Sequence, residues 1–299
     1  MNGTVGTAAT TTSTAKQPSV TRRRGPWSLG KLAAMILFTV LFITQLYPLV
    51  WLLFYSLKNN EEILSGNFFA LPAEFLWSNY QAAYEGGHYL QSLLNSIKIT
   101  SITMVCVILL SSMVAYAITR FRFRYGNLIM IIFLLGMMIP LQATLLPLMV
   151  MFKKVDILNT HLSLILPYIA FQIPIAVFIL SGFMRTIPAE IEESAVMDGA
   201  NTYRTFLSII VPISVPPMMT VCILTFIQIW NEYILAATFI SSASLKTLPF
   251  GVFSFVSQYS VNYGAIGAYL VMGAAPVILI YFLLSEKITK GMVAGAVKG

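Results

Sequence analysis

Charge is what this chain has least of. Asp, Glu, Lys and Arg make up 10% of its 299 residues and apolar residues 58%, which excludes a soluble globular domain, where about a quarter of residues are charged. Cysteine is nearly absent: Cys106 and Cys222 are the only two. Both fall inside long apolar stretches, where a disulfide framework has no role and metal ligation would need further partners, so they read as small packing residues. Histidine is as scarce, with His88 and His161 alone, both between apolar stretches and without partners nearby, so no His or Cys constellation for an intramembrane enzyme is available. No Gly-rich loop ending in Lys-Ser or Lys-Thr occurs, and the chain has no phosphate cradle of its own. The net charge of +7 comes with no basic patch interleaved with aromatics, which points to membrane topology and lipid head groups rather than nucleic acid.

Apolar length is what the chain has in excess. Uncharged stretches predict transmembrane spans at 32–56, 92–119, 128–151, 162–184, 209–236 and 264–285, each at or above the ~20 residues that cross a bilayer as a helix. The expected fold is an all-α membrane protein with six transmembrane helices over 29–299. Residues 1–28, rich in Thr, Ser, Ala and Gly, are expected to be a disordered tail. The uncharged run from Lys31 to Lys58 is 26 residues long, well beyond the ~7 to 15 of a signal peptide's apolar region, so the first span is an anchor that stays. With both termini in the cytoplasm, 13 of the 18 Lys and Arg lie inside and five outside, the asymmetry that orients membrane proteins.

Two connections stand out. The external segment between the first two spans carries Pro72, Trp77, Tyr80, Tyr84 and Tyr89 and has interfacial character. Arg120, Arg122 and Arg124, interleaved with Phe121 and Phe123, read as an anchor at the inner leaflet.

The most acidic segment is the loop 186–208, between the fourth and fifth spans. Pro188 suits a first helical turn, and Glu190, Glu192 and Glu193 sit near the positive end of a helix dipole. Ile191, Ala195 and Gly199 recur at i, i+4 and i+8 with Val196 and Tyr203 beside them, giving one apolar stripe with the acids pointing elsewhere on a helix of about three turns. Asp198-Gly199 then offers a turn, because Gly takes positive φ without a Cβ clash, and a second short helix leaves through Tyr203 and Phe206. Anionic lipid would repel three glutamates and an aspartate within nine residues. An angled helix pair that docks into a partner's groove fits better than a helix lying on the leaflet.

The stretch EESAVMDGANTYRTFLSIIVP closely resembles the cytoplasmic EAA loop of bacterial ABC importer permeases: Glu-Ala-Ala, three variable residues, Gly, nine variable residues, Ile, one variable residue, Leu-Pro. Glu193, Ala195, Gly199, Ile209 and Pro212 match that pattern, Ser194 replaces its second-position Ala, and Val211 replaces its Leu. The resemblance implies that Glu193, Ser194, Ala195, Gly199, Ile209 and Pro212 dock an ATPase.

Glu232 is the only acid placed within a predicted transmembrane helix, and a buried carboxylate costs several kcal/mol unless it finds a partner or a wet cavity. Its surroundings, Trp230-Asn231-Glu232-Tyr233, resemble the Trp-Asn-Glu-aromatic sequence that recurs in permeases of the carbohydrate uptake branch. Amides and carboxylates that pair with hydroxyls, with aromatic rings over apolar faces, are how sugars are held. Three roles stay open for Glu232: lining a sugar cavity, bonding a neighbouring helix or subunit to hold a gate, or relaying protons. Gln142, near Pro140 and Pro147, and Gln172, near Pro167 and Pro174, are further substrate-pathway candidates. Asn79-Tyr80 and Asn95-Ser96 also resemble positions common in the sugar branch.

The resemblance as a whole implies a permease subunit of an ATP-driven importer in the bacterial plasma (inner) membrane. Its partners would be a second homologous permease, two ATP-binding subunits, an extracytoplasmic sugar-binding protein and membrane lipid, with no nucleic acid. It implies that this chain binds no cofactor and is not an enzyme, ATP and Mg being used by the partner ATPase. Transport would run by alternating access, and a carboxylate in the pathway mildly favours a neutral sugar. The alternative is an ATP-independent secondary transporter or channel, which would need coupling-ion sites or a repeat of broken spans, neither evident in the sequence.

Overall fold

The structure, a computed structural model, describes residues 29–66, 70–121, 124–257 and 259–296. The tail expected at 1–28 lies outside the described residues, as do Arg122 and Phe123 of the basic loop. Among the described residues there is no strand, only an isolated bridge between Val256 and Val261.

The chain divides into two compact units at Leu49 and Val50. The first contains most of helix α1, Leu29–Tyr55. Here Thr39 and Thr44 donate their hydroxyls to Met35 O and Val40 O, both at 2.8 Å, as polar groups in an apolar helix must find partners within it.

The second unit contains α2 (Asn60–Leu64), α3 (Ser78–Gly86), α4 (Tyr89–Arg120), α5 (Gly126–Gly136), α6 (Leu141–Lys154), α7 (Leu162–Met184), α8 (Glu190–Met197), α9 (Thr202–Thr205), α10 (Val211–Ile213), α11 (Val215–Trp230), α12 (Ile234–Phe239), α13 (Leu248–Gly251) and α14 (Tyr263–Ala296). The backbone between α9 and α10, Phe206–Ile210, is wound as a π-helix.

α4 packs along α7 more extensively than any other pair of elements. The buried stripe of α4 runs through Ser96, Thr100, Thr103, Val107, Ser111 and Ala115. Small and hydroxylated residues face the neighbour while Val105, Leu109 and Met113 are exposed. This reversed amphipathicity suits a helix with lipid outside, because small side chains let backbones approach where burial of apolar area gives no advantage over lipid. Ser111 satisfies its buried hydroxyl on Val107 O at 2.5 Å.

Among the described residues, four helices are long and apolar enough to cross a membrane: Leu29–Tyr55, Tyr89–Arg120, Leu162–Met184 and the Tyr263–Ile280 part of α14. Two further candidates are bent pairs, α5 with α6 at 95° and Thr202–Ile213 with α11 at 72°. The six expected spans thus correspond to four long helices and these two bent pairs, and proline explains both bends. Pro140 sits at the N-cap of α6 with φ −70° and ψ 132°, and it disfavours helical backbone at Ile139, so the predicted span 128–151 breaks there. Pro216 and Pro217 have no N–H to give to Pro212 O and Ile213 O, so the ladder lapses around Ser214 and resumes where Met218 N–H donates to Ser214 O at 3.0 Å. The predicted span 209–236 therefore bends near its start, and its helix ends at Trp230.

Around α14, Tyr269 is 1% exposed and fills the space beside two glycines. A Cβ on Gly87 would lie 2.5 Å from Tyr269 Cε2 and 2.7 Å from Ala83 O, and one on Gly251 would overlap the Tyr269 hydroxyl. On α7, a Cβ added at Gly182 would meet nothing within 4 Å. Gly87→Ala should therefore destabilise the detergent-solubilised protein by about 1–3 kcal/mol, whereas Gly182→Ala should cost nothing. Thermal unfolding of both variants checks the contrast.

Candidate functional site

Two regions contain the residues singled out in the sequence. The first is the loop around α8. This helix has eight residues, about two turns rather than three, and it ends in a Schellman motif. Gly199 N–H donates to Val196 O and Ala200 N–H to Ala195 O, both at 2.9 Å, with Gly199 at φ +80°. Since nothing lies within 4 Å of a Cβ there, the demand for glycine is conformational and not steric. Asn201 then caps α9, its Oδ1 accepting from Arg204 N–H at 2.9 Å.

The expected stripe is divided between inside and outside. Ala195 is buried against its own chain, while Val196, Met197, Tyr203 and Leu207 are 62–87% exposed and Ile191 36%. Glu193 and Ser194 are exposed, with the Ser194 hydroxyl donating to Ile191 O at 2.9 Å. Ile209 is half-buried in the π-helical turn and Pro212 is exposed on α10.

Glu192 does not point outward with the other acids, because it shares the inward face with Ala195, three residues on. Its Oε1 lies 2.5 Å from Arg120 Nε and its Oε2 accepts from the Tyr116 hydroxyl at 3.0 Å. Arg120 also donates through Nη2 to Ile187 O at 2.9 Å. Arg120 is thus more than a lipid anchor: it ties the last turn of α4 to α8. Sequence reasoning missed this pairing, since 72 residues separate the two groups; its one trace was the i, i+3 relation of Glu192 to a small apolar residue.

The second region is the break after α11. Glu232 lies between helices, not inside one. Asn231 folds its amide back to donate to Ile227 O at 2.8 Å, closing the end of α11, and Glu232 Oε1 accepts from Leu235 N–H at 2.9 Å, satisfying a free donor of α12's first turn. The Tyr168 hydroxyl on α7 donates to Glu232 Oε2 at 2.5 Å. Asn231 and Glu232 together are the chemistry of a helix break.

A cavity of about 350 Å³ adjoins this carboxylate. Tyr168 and Gln172 of α7, Gln228 and Glu232, and Met137 and Ile139 of the α5–α6 bend line it. The structure therefore brings Glu232 and Gln172 to one cavity, where two broken helices meet across α7. Trp230 lines a separate, mostly apolar cavity of about 290 Å³ with Phe226 and Cys222. Tyr233 stacks on Phe253 at 5.7 Å and 15°. Gln142 is exposed on α6. Asn79 and Asn95 brace backbone: Asn79 donates to Ser56 O and Lys58 O at 3.0 and 2.9 Å, Asn95 to Ser244 O and Lys246 O at 2.8 and 2.9 Å.

Among the described residues no group of three or more His, Cys, Asp or Glu is placed to hold a metal ion. Long apolar helices, discontinuous helices around a cavity that Gln172, Gln228 and Glu232 line, and an exposed short-helix pair define a multi-pass membrane transport component. Residues 107–286 match the family described as binding-protein-dependent transport system inner membrane component, and the chain belongs to that family. It is 38% identical over 252 residues to the ABC transporter permease protein ORF2 of Caldicellulosiruptor sp. (strain Rt8B.4), covering 84% of this chain and 91% of that one. It is 33% identical to the trehalose transport system permease protein SugB of Mycobacterium tuberculosis (strain CDC 1551 / Oshkosh), over 88% and 96%. Its fold matches a chain in the crystal structure of a bacterial ABC transporter involved in the import of the acidic polysaccharide alginate, with a TM-score of 0.73 and 21% identity over 85% of this chain and 95% of that one. The chain is a transport subunit of the inner membrane rather than an enzyme.

Tyr168→Phe leaves one oxygen of the Glu232 carboxylate without a donor and should destabilise the protein by about 1–3 kcal/mol. Glu232→Gln keeps an acceptor for Leu235 N–H and a polar group facing Tyr168, so it should cost less. Thermal unfolding in detergent orders the two.

Proposed function

We infer that this chain is the permease subunit of an ATP-driven ABC importer that moves a di- or oligosaccharide across the inner membrane by alternating access. The observation that carries this reading is the meeting of two broken helices at a cavity bearing Gln172, Gln228, Tyr168 and Glu232, in a chain of the binding-protein-dependent family. Broken helices at membrane depth are tolerated only where they line a cavity or are buried in protein. The amides and carboxylate suit hydroxyl groups, and relatives with sugar-transport names, trehalose among them, support the substrate class. Broken helices also occur in ATP-independent transporters, but family membership favours the ATP-driven reading.

The finer features follow from it. The permease domain occupies 29–299, with six spans once each bent pair counts as one and with both termini in the cytoplasm on the Lys and Arg balance. The loop 186–208 is the ATPase-docking element. Glu193, Ser194, Ala195 and Gly199 shape it, Ile209 and Pro212 join it to the membrane, and the exposed Val196, Met197, Tyr203 and Leu207 supply the apolar surface that a partner groove would bury. Trp230, Asn231, Glu232, Tyr233, Gln142 and Gln172 form or support the substrate pathway. The partners are a second homologous permease, two ATP-binding subunits that use ATP and Mg, and an extracytoplasmic sugar-binding protein; this chain binds no cofactor. A carboxylate beside the cavity favours neutral sugars. Closure of the ATPase pair displaces the docked loop and reorients the spans.

In the assembled transporter, Gly199→Val forces a β-branched residue into left-handed backbone, a strain of about 1–3 kcal/mol, and Glu193→Lys reverses a charge on the exposed face. Both should abolish ATP-dependent sugar uptake in cells while the chain still reaches the membrane at wild-type level. Normal uptake by both would exclude the docking role.

A further inference from the structure

We infer that Arg120, Glu192 and Tyr116 are positioning residues of the transport cycle, a clamp that fixes α8 to the end of α4 so that a push on α8 moves the membrane helices. This rests on the reading of α8 as the element an ATPase pushes.

α8 has little else to hold it. It is eight residues long, too short to persist as an isolated helix, and six of its residues are exposed, leaving only Ala195 buried and Glu192 half-buried. Both its ends are turns: the 187–189 lead-in on one side and the Gly199 Schellman motif on the other. A load applied to such a helix would roll it about Ala195 and be absorbed in those turns.

The clamp removes that freedom at three points. Arg120 holds Glu192 Oε1 through Nε at 2.5 Å and the lead-in through Ile187 O at 2.9 Å. The Tyr116 hydroxyl holds the other carboxylate oxygen at 3.0 Å. Arg120 and Glu192 side chains are 15% and 16% exposed, so the pair is largely shielded from solvent. For stability alone, apolar side chains would serve as well, because desolvating two charges offsets most of their attraction. What the guanidinium adds is reach: one side chain contacts the Glu192 carboxylate as an ion pair and also donates from Nη2 to Ile187 O, so it ties α8 and its lead-in to α4 together.

A contiguous path leads onward from α4. It packs along α7 through Val107, Ala115, Ala176 and Leu180, and α7 carries Tyr168, the hydroxyl that holds Glu232 beside the cavity. At its other end α4 holds Leu248 N–H through the Ser96 hydroxyl at 2.8 Å. Closely packed helices move as units rather than deforming, so displacement of α8 reaches the cavity wall through α4 and α7.

The test uses the complete transporter in proteoliposomes, with Glu192→Gln, Arg120→Gln and the reversed pair Arg120→Glu/Glu192→Arg. Each single variant should retain the ATPase and hydrolyse ATP near the wild-type rate while sugar delivered per ATP falls about tenfold, and the reversed pair should recover much of that ratio. An unchanged ratio in the single variants, or uptake, hydrolysis and ATPase recovery falling together in all three, would overturn the clamp. Hydrogen exchange at amides 190–197 needs no ATPase: faster exchange in Glu192→Gln supports the clamp, and unchanged exchange overturns it. If the wild-type chain recruits no ATPase, the docking reading fails, and the exchange result still judges the clamp.

Discussion

In hydrocarbon every backbone N–H and C=O must find a partner within the protein, and the arrangement of polar residues in this chain follows from that constraint. Where a helix runs unbroken, the ladder meets the demand and side chains are free to be apolar or small, as along α4 and α7. Where a helix stops, a polar side chain takes the ladder's place. Asn231 closes the end of α11 on Ile227 O, and Glu232 opens α12 through Leu235 N–H. Asn159 Oδ1 takes the N–H groups of Ser241 and Ser242, both at 3.0 Å. Ser96 takes Leu248 N–H. Asn231, Glu232 and Ser96 thus repair interrupted ladders, and the cavity beside Glu232 lies where two of the breaks fall next to one another.

This bears on how much was legible beforehand. Helix existence and approximate span positions came from apolar length alone, since a bilayer of fixed thickness leaves few alternatives. The turn at Gly199 was readable because only glycine takes φ +80° without strain. The breaks were not, although Pro140, Pro216 and Pro217 were visible. Proline occurs inside intact helices here too, at Pro48, Pro147, Pro167, Pro174 and Pro276, and whether a helix tolerates it depends on which neighbour satisfies the freed carbonyls. For the same reason the tetrad Trp230 to Tyr233 looked like one binding element. With a break in its middle, it instead sends Trp230 to one cavity, Glu232 to another that Gln172 and Gln228 also line, and Tyr233 onto Phe253.

The loop 186–208 shows a second limit of local pattern. The i, i+4, i+8 spacing of Ile191, Ala195 and Gly199, with Val196 and Tyr203 beside them, suggested a single apolar face, but Ala195 and Glu192 turn inward, Glu192 onto α4, while Ile191, Val196 and Tyr203 stay outside. Long-range pairing decided the orientation, and Arg120 lies too far along the chain for any periodicity to reveal it. Once the pairing is known, α8, the Arg120–Glu192 contact, the α4–α7 pair and the cavity beside Glu232 form a continuous series of contacts. On the function proposed above, that series would join the docking loop to the substrate pathway.

The central claim is that this chain works as one permease of an ATP-driven sugar importer. Purification of the tagged chain from its native membranes in mild detergent, with mass spectrometry of the proteins that accompany it, tests that claim most directly. A second permease, an ATP-binding subunit and a sugar-binding protein recovered together are the predicted result. Recovery of the chain alone, or only with copies of itself, would contradict it.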